Sequence, residues 1–407
     1  MSKKLKRRLT FLGLAVLAYG IYFILPTGMP KGKNYFQPVG ERVLQKDEIG
    51  QFNYVYDTYE HLSFTGDEFH GWDEDEQLLW RYGIAFGAYA MPSIAMISKE
   101  HQNSAAHCLK LMIGKMKSRK VWGDWLDYGL SDDPISEGNI MYKGHLNLMY
   151  GLYQMMTGDT TFAREYTWMT NGIVDEMRRH HAEGKHEGAD CEPGRYFPQC
   201  NSISLLSLKI YDQLYGTGYT NIESQWTVDF IKDKMTDERT GLYLKMYNTD
   251  MNFCKPYLSG YTNAWSMCFL RTVDPEYNDE LYETWKETFV KQYGPYAIVK
   301  EDPEAGPSPL AHMNGLIVAK EYGDVQLFTK LRNGLDRKLY KAADRNYYLY
   351  KDVNNAIYNG PLLWTKVHVG WENILNHNWQ HGTFEIPKVD DMIWTDILDV
   401  DLLVRED

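Results

Sequence analysis

The chain has no surplus of positive charge: 43 lysines and arginines stand against 55 aspartates and glutamates, for a formal net charge of −12. Binding a nucleic-acid backbone needs a basic face, and none occurs outside the first residues, so nucleic acid is excluded as a partner. Cysteine is scarce. The five residues Cys108, Cys191, Cys200, Cys254 and Cys268 are odd in number, which rules out a fully paired disulfide scaffold. Sustained alternation of apolar and polar residues is absent, and the nearest strand-like pieces are the short segments 242–246 and 347–350. GxGxxG, P-loop, HExxH and GxSxG motifs are also missing. With them go the common dinucleotide, nucleotide, zinc-protease and serine-hydrolase chemistries.

What is present is apolar and aromatic. Hydrophobic residues make up 44% of the chain, with 31 tyrosines and 12 tryptophans among them. Such side chains either fill helix interfaces or line a pocket for apolar or sugar-like ligands. The N-terminus carries the clearest local signal. Lys3, Lys4, Lys6, Arg7 and Arg8 precede a nearly unbroken apolar run over residues 9–25. As a helix that run spans about 25 Å, slightly short of a bilayer core, and flanking lysines and Tyr22 can cover the difference. A cleaved signal peptide ending at Val16-Leu17-Ala18 is the competing reading, but the run continues past it. Residues 1–8 are expected as a basic cytoplasmic segment, 9–25 as a retained transmembrane anchor and 26–40 as a linker. Residues 41–407 then form one catalytic domain outside the cytoplasm, periplasmic in a Gram-negative bacterium.

Within that domain apolar residues recur at three- and four-residue spacing. Helix-stop signals repeat near Ser98-Lys99, Gly158-Asp159, Gly216-Thr217, Asp274-Pro275 and Gly323-Asp324. A period of this length holds one helical hairpin, and hairpins must stack to bury their apolar faces. The expected fold class is therefore all-α, with about six hairpins closing into an (α/α)6 barrel. The longest irregular stretches, 184–199, 247–259 and 294–309, mark its functional end.

Several residues are candidates for chemistry. Cys191-Glu-Pro-Gly-Arg-Tyr-Phe-Pro-Gln-Cys200 opens onto a helix, and three readings fit it. These are a local disulfide, zinc ligation with His180, His181 or His186, and a pair of free thiols. His145 lies in Asn139-Ile-Met-Tyr-Lys-Gly-His145-Leu-Asn-Leu-Met-Tyr-Gly-Leu-Tyr153, a helix apolar nearly all round and hence buried. It is either a satisfied core histidine or a general acid/base held by a neighbour. Asp57, within Tyr54-Val-Tyr-Asp57-Thr-Tyr59, is either a turn residue or a carboxyl whose aromatic setting raises its pKa. Asp124 and Glu137 offer the paired carboxylates of a glycosidase.

Four segments carry a family resemblance: residues 120–125, 139–154, 191–202 and 255–265. In order and spacing they resemble linalool dehydratase-isomerase, and the match over 139–154 is highly specific. The likeness runs from about residue 52 to 340, and Lys366-Val-His-Val-Gly-Trp371 still resembles the family. It implies an (α/α)6 barrel that assembles as a homopentamer and converts small terpenoid alcohols and alkenes without metal or organic cofactor. By correspondence it implies Cys191, Cys200 and His145 as catalytic residues. Asp57 would be supplied to the pocket by the neighbouring protomer. Tyr82, Met141 and Tyr261 would contact substrate. A tyrosine of the family falls on Ser63 here, with Tyr59 as the nearest substitute, and the family's structural disulfide is missing because Ser118 replaces one partner.

Two rival functions follow from the residues alone, a glycoside hydrolase or epimerase using Asp124 and Glu137, and a membrane-tethered terpenoid-binding protein. On topology the expectation is definite. N-terminal sequencing of the mature protein should recover the intact start, whereas a start at Tyr19 or beyond would show cleavage and refute the anchor.

Overall fold

The structure, a computed structural model, describes residues 32–64, 77–123, 138–336, 339–342, 346–350 and 356–386. The expected span at 9–25 and its basic flank lie outside these. Among the described residues no helix is long and apolar enough to cross a membrane.

Twelve principal helical segments alternate between an outer and an inner layer. The outer helices are α1 (Lys46–Phe64), α4 (Gln102–Met116), α6 (Ala163–Glu183), α8 (Glu223–Lys234), α10 (Pro275–Phe289) and α12 (Val325–Leu335). The inner ones are α2 (Gln77–Ala88), continued past Tyr89 by α3 (Ala90–Ile97), then α5 (Ile140–Thr157), α7 (Pro198–Tyr215), α9 (Gly260–Leu270), α11 (Pro309–Glu321) and α13 (Ala356–Val367). A short α14 (Trp371–Leu375) follows. Around the ring α2 packs on α5, α5 on α7, α7 on α9, α9 on α11, α11 on α13, and α13 returns to α2. This is the expected (α/α)6 closure. Burial differs between α5 and its outer partner: nearly every residue of α5 is buried, whereas α6 buries only a stripe including Tyr166, Met169, Ile173 and Met177.

Local chemistry sets the helix ends. Pro198, Pro275 and Pro309 stand in the first turns of α7, α10 and α11. Ser259 and Ser308 cap α9 and α11 by accepting backbone N–H bonds from Thr262 and Ala311, both 3.3 Å long. Gly158 and Gly216 end α5 and α7 at φ +71 and +70, where a side chain would strain the backbone. Gly158 and Gly216 are two of the repeating stop signals of the sequence, and each of the five signals follows an inner helix and precedes its outer partner. The longer connections collect at the opposite end, beside the N-termini of the inner helices. They hold the strands, notably an antiparallel sheet of β1 (Arg195–Tyr196), β2 (Leu244–Asn248) and β3 (Phe253–Leu258).

Closure depends on close backbone contact. A Cβ on Gly83 of α2 would fall 2.7 Å from the Ile357 carbonyl oxygen of α13, and one on Gly360 would fall 3.0 Å from the Gly87 Cα. A buried ion cluster locks the same seam from outside. Asp47 of α1 lies 3.0 Å from Lys366 Nζ at the end of α13 and 3.2 Å from Arg332 of α12. Burial alone would raise the Asp47 pKa, but the two cations outweigh it and hold it down at about 2. Since unfolded aspartate titrates near about 3.9, this carboxylate favours the fold above that pH and loses its contribution as the pH falls toward 2. Tyr35 donates to Asp47 Oδ1 at 3.0 Å from a short 3-10 turn, Gly32–Phe36, and is buried. The later part of the expected 26–40 linker is therefore part of the barrel, because an aromatic ring and its hydroxyl anchor it to the charge cluster.

The helix crossing at the seam predicts opposite effects for two similar substitutions. Gly83→Ala should destabilise the fold by about 2 kcal/mol, since backbone atoms cannot yield. Gly172→Ala, exposed in mid-α6 with nothing within 4 Å, should stabilise by about 0.5–1 kcal/mol. Chemical denaturation of both variants checks this, and equal effects would show the seam to be loose.

Candidate active site

The inner helices bring one group of side chains together. On α2, Tyr82, Phe86 and Tyr89 are spaced for one helix face. Opposite them stands His145, one turn along α5 from Met141. Its ring lies 5.5 Å from Tyr82, 5.6 Å from Phe86, 5.8 Å from Trp265 of α9 and 6.0 Å from Tyr89, centroid to centroid. Trp364 of α13 stacks behind Phe86 at 5.5 Å. Four inner helices thus contribute to one aromatic enclosure. Tyr82 also donates to Met141 Sδ at 3.4 Å, which joins two expected substrate contacts. Tyr261 precedes Trp265 by one turn, partly buried, with Lys245 Nζ 5.2 Å from its ring centre.

His145 is held by a neighbour, as the acid/base reading required. Tyr89 Oη lies 2.6 Å from its Nδ1. Both side chains are buried, and His145 Nε2 has no protein partner. Burial pushes the imidazole pKa down to about 3, assisted by the Arg81 guanidinium, while burial drives the Tyr89 phenol well up. A neutral phenol must place its one proton, and donating it to Nδ1 satisfies both groups. The opposite tautomer would leave a buried hydroxyl unpaired, at about 1–3 kcal/mol. His145 therefore presents Nε2–H, a donor from a neutral ring. The indole Nε1–H of Trp265 is likewise buried and unpartnered.

The two loop cysteines are not free. Cys191 and Cys200 are disulfide-bonded, with Cα atoms 6.3 Å apart. Of the three readings of this loop, the structure shows the local disulfide. The reason is the path of the loop: Cys191 N–H donates to the Arg195 carbonyl at 2.8 Å, and Tyr196 pairs with Tyr247 in the sheet. The chain is thereby turned back over the first turn of α7, where Cys200 sits. Glu176 of α6 fixes the other side, since Oε1 accepts the Asp190 N–H at 3.0 Å and the carboxylate pairs with Lys143. Ile140 N–H donates to the Asp190 carbonyl at 3.1 Å, which sets Cys191 beside the start of α5.

Two expected residues lie elsewhere. Asp57 is on the outer helix α1 and accepts a hydrogen bond from Tyr347; it shares no contact with His145. Tyr59 is wholly buried on α1, its pKa raised by burial and by nearby Cys108 of α4. Helical spacing put it on the inward face of an outer helix, not at the ring's mouth. Asp124 and Glu137, the glycosidase pair, lie outside the described residues. Tyr89, Phe86 and Trp265 were not identified as site residues from sequence. The signal was available in the i, i+4, i+7 aromatic stripe from Tyr82.

The fold resembles known helical toroids. A glycoside hydrolase family 76 mannosidase from Bacteroides thetaiotaomicron superposes with a TM-score of 0.50 and 12% identity, covering 79% of this chain and 97% of the other. A possible glycoside hydrolase family 105 member from Salmonella enterica gives a TM-score of 0.49 and 11% identity, covering 81% and 95%. At such identities the likeness is one of fold, and the first supports the toroid. The sequence itself matches the model of the linalool dehydratase/isomerase family over residues 81–356, a stretch that includes Tyr82, Tyr89, Met141, His145, Cys191, Cys200 and Trp265. With most of its length inside that match, the chain belongs to the linalool dehydratase/isomerase family.

Proposed function

We propose that the protein removes or adds water at small terpenoid or alkenol alcohols without a cofactor. Linalool dehydration to myrcene and linalool–geraniol isomerisation, or close analogues, are the intended reactions. The observation that carries this reading is His145, a buried neutral imidazole with Nδ1 fixed by Tyr89 and an unpartnered Nε2 inside an aromatic shell. An apolar enclosure with a few unsatisfied polar atoms suits a ligand that is mostly hydrocarbon with one hydroxyl.

The chemistry follows from the alcohol. An allylic hydroxyl leaves as water once protonated, because the cation left behind is delocalised. The site must supply a proton donor, a base for the adjacent C–H and protection of the cation from water. In the reduced protein Cys191 S–H donates to the hydroxyl oxygen, the C–O bond breaks and water departs. The proton lost from the neighbouring carbon returns to the thiolate, shared with Cys200, and an alkene is formed. Thiols shielded from water hold their protons at neutral pH and so can act as acids. His145, with a pKa near 3, is a poor base; its Nε2–H instead orients the substrate oxygen. The faces of Tyr82, Phe86 and Trp265 favour a passing cation.

Asp57 fits this scheme from outside the subunit. On the outer layer it can meet a second copy's pocket, in a homopentamer with pockets between protomers. The N-terminal run would tether such an assembly to a membrane with the barrel on the extracytoplasmic side.

The disulfide makes the scheme testable. A bonded pair has no proton to give, so two electrons and two protons from a dithiol reductant are needed first. Anaerobic incubation with linalool, geraniol and short alkenols, read by gas chromatography, should show turnover after reduction and none after reoxidation. In the reduced enzyme, Cys191→Ala and Cys200→Ala should each lower turnover by about 10²–10⁴-fold. Full activity of the oxidised protein would refute thiol catalysis, and binding without turnover would support a carrier.

A second measurement addresses His145. Tyr89→Phe frees the imidazole to rotate without altering the shell's volume. Turnover should fall by about 10–100-fold, with an unchanged fold by circular dichroism. Wild-type kcat in Tyr89→Phe would refute the positioning role.

A further inference from the structure

Behind the loop that carries Cys191, a second cluster takes no part in this chemistry. His180 is in the last turn of α6, and His186 and Asp190 follow on the descending loop. One ring nitrogen from each histidine and one carboxylate oxygen all lie within 4.8 Å of one another. His180 and His186 are only 6% and 4% exposed, and their rings are 4.2 Å apart.

Hydrogen bonding within the cluster is incomplete in a specific way. His180 Nδ1 lies 2.9 Å from the Gly188 carbonyl oxygen, which can only accept, so Nδ1 carries the hydrogen and Nε2 is left as the ligand atom. Metal-bound histidines are commonly oriented by such a bond. His186 Nε2 and Asp190 Oδ1 are 3.0 Å apart, at ion-pair distance, yet neither atom has a hydrogen-bond partner. His186 Nδ1 has none either. Buried polar atoms are rarely left so. A nitrogen and an oxygen at contact distance without a shared hydrogen are arranged as two ligands of one cation.

A second buried group provides a contrast. Cys268, Glu321 and His368 also converge. There, however, the Trp364 indole donates to His368 Nδ1 at 3.2 Å. His368 Nε2 is 2.7 Å from Glu321 Oε2, which also accepts from the Trp371 N–H at 3.0 Å. Both imidazole nitrogens are engaged, so that group is closed as a hydrogen-bond network.

We propose that His180, His186 and Asp190 form a structural site for a divalent cation of the zinc class, with water in the fourth position. Two imidazoles and a carboxylate suit zinc and disfavour magnesium and calcium, which prefer all-oxygen sets. The ion would fasten the 184–190 loop to the end of α6. Asp190 also bonds through its backbone to Glu176 and Ile140, so the anchor extends to the residue next to Cys191.

The test uses the full-length protein, reduced, stripped with a chelator and titrated with zinc and with cobalt. About one zinc per chain is expected by mass spectrometry, with a rise in Tm on zinc addition and visible ligand-field absorption from cobalt. His186→Ala and Asp190→Asn should each weaken binding by more than about 100-fold, beyond what loss of an outer partner costs. His181→Ala, exposed and stacked on Trp226 at 3.8 Å, should bind as wild type, as should Cys191→Ala/Cys200→Ala. Should His186→Ala fail to fold, Asp190→Asn decides the matter. Absence of zinc and cobalt uptake by the stripped wild type would overturn the proposal, as would Asp190→Asn binding like wild type.

Discussion

The close contact between α2 and α13 is the constraint on which the rest of the molecule depends. A toroid of helices gains its interior only when the last inner helix meets the first, and here that meeting is backbone to backbone. Gly83 leaves no room for a Cβ, and at Gly87 and Gly360 one would press on the facing backbone at 3.3 and 3.0 Å. Once the ring closes, Tyr82, Phe86 and Tyr89 from α2 face His145 from α5 and Trp265 from α9. Without closure those residues would line an open groove in contact with water. The charge cluster of Asp47, Arg332 and Lys366 holds the same seam from the outer layer. Such buried ions add modest net stability compared with a well-packed apolar seam, yet removing one partner would cost about 3–5 kcal/mol, which makes the register of closure specific.

Exclusion of water then determines the chemistry. The same desolvation that lowers the His145 pKa to about 3 raises that of Tyr89, so both are neutral and one hydrogen bond between them settles the tautomer. In the proposed dehydration a neutral, oriented imidazole and an aromatic wall would suit a cationic intermediate better than an imidazolium, whose fixed positive charge would repel it. The cysteine pair adds a condition. Its loop is held by β1, by Glu176 and by the start of α5, and its two sulfurs are bonded.

The buried histidines illustrate how polar groups are divided between stability and function. His368 is bonded through both nitrogens, and its role is to brace Trp364 and Trp371 behind the enclosure. His145 keeps one nitrogen for a ligand, and His186 keeps both. Burial is nearly the same for all three, and what distinguishes them is how many of their hydrogen bonds the protein itself completes.

Helix periodicity and the recurrent stop signals, Gly158 and Gly216 among them, were legible in the sequence, because they depend on residues within a turn of one another. From them followed the number of hairpins, the end of the barrel that carries the long loops, and the buried character of the helix around His145. The 139–154 segment also pointed to the family. Other features depended on residues far apart in the chain. Tyr89 met His145 across 56 positions, and Asp47 met Lys366 across the seam. Tyr59, on an outer helix, turned into the wall, and Cys191 bonded to Cys200 because a sheet folded their loop back. The sequence by itself determined which faces had to be buried; which side chains share an enclosed space was decided only by ring closure, since that alone brings distant helices within hydrogen-bonding distance and removes the water between them.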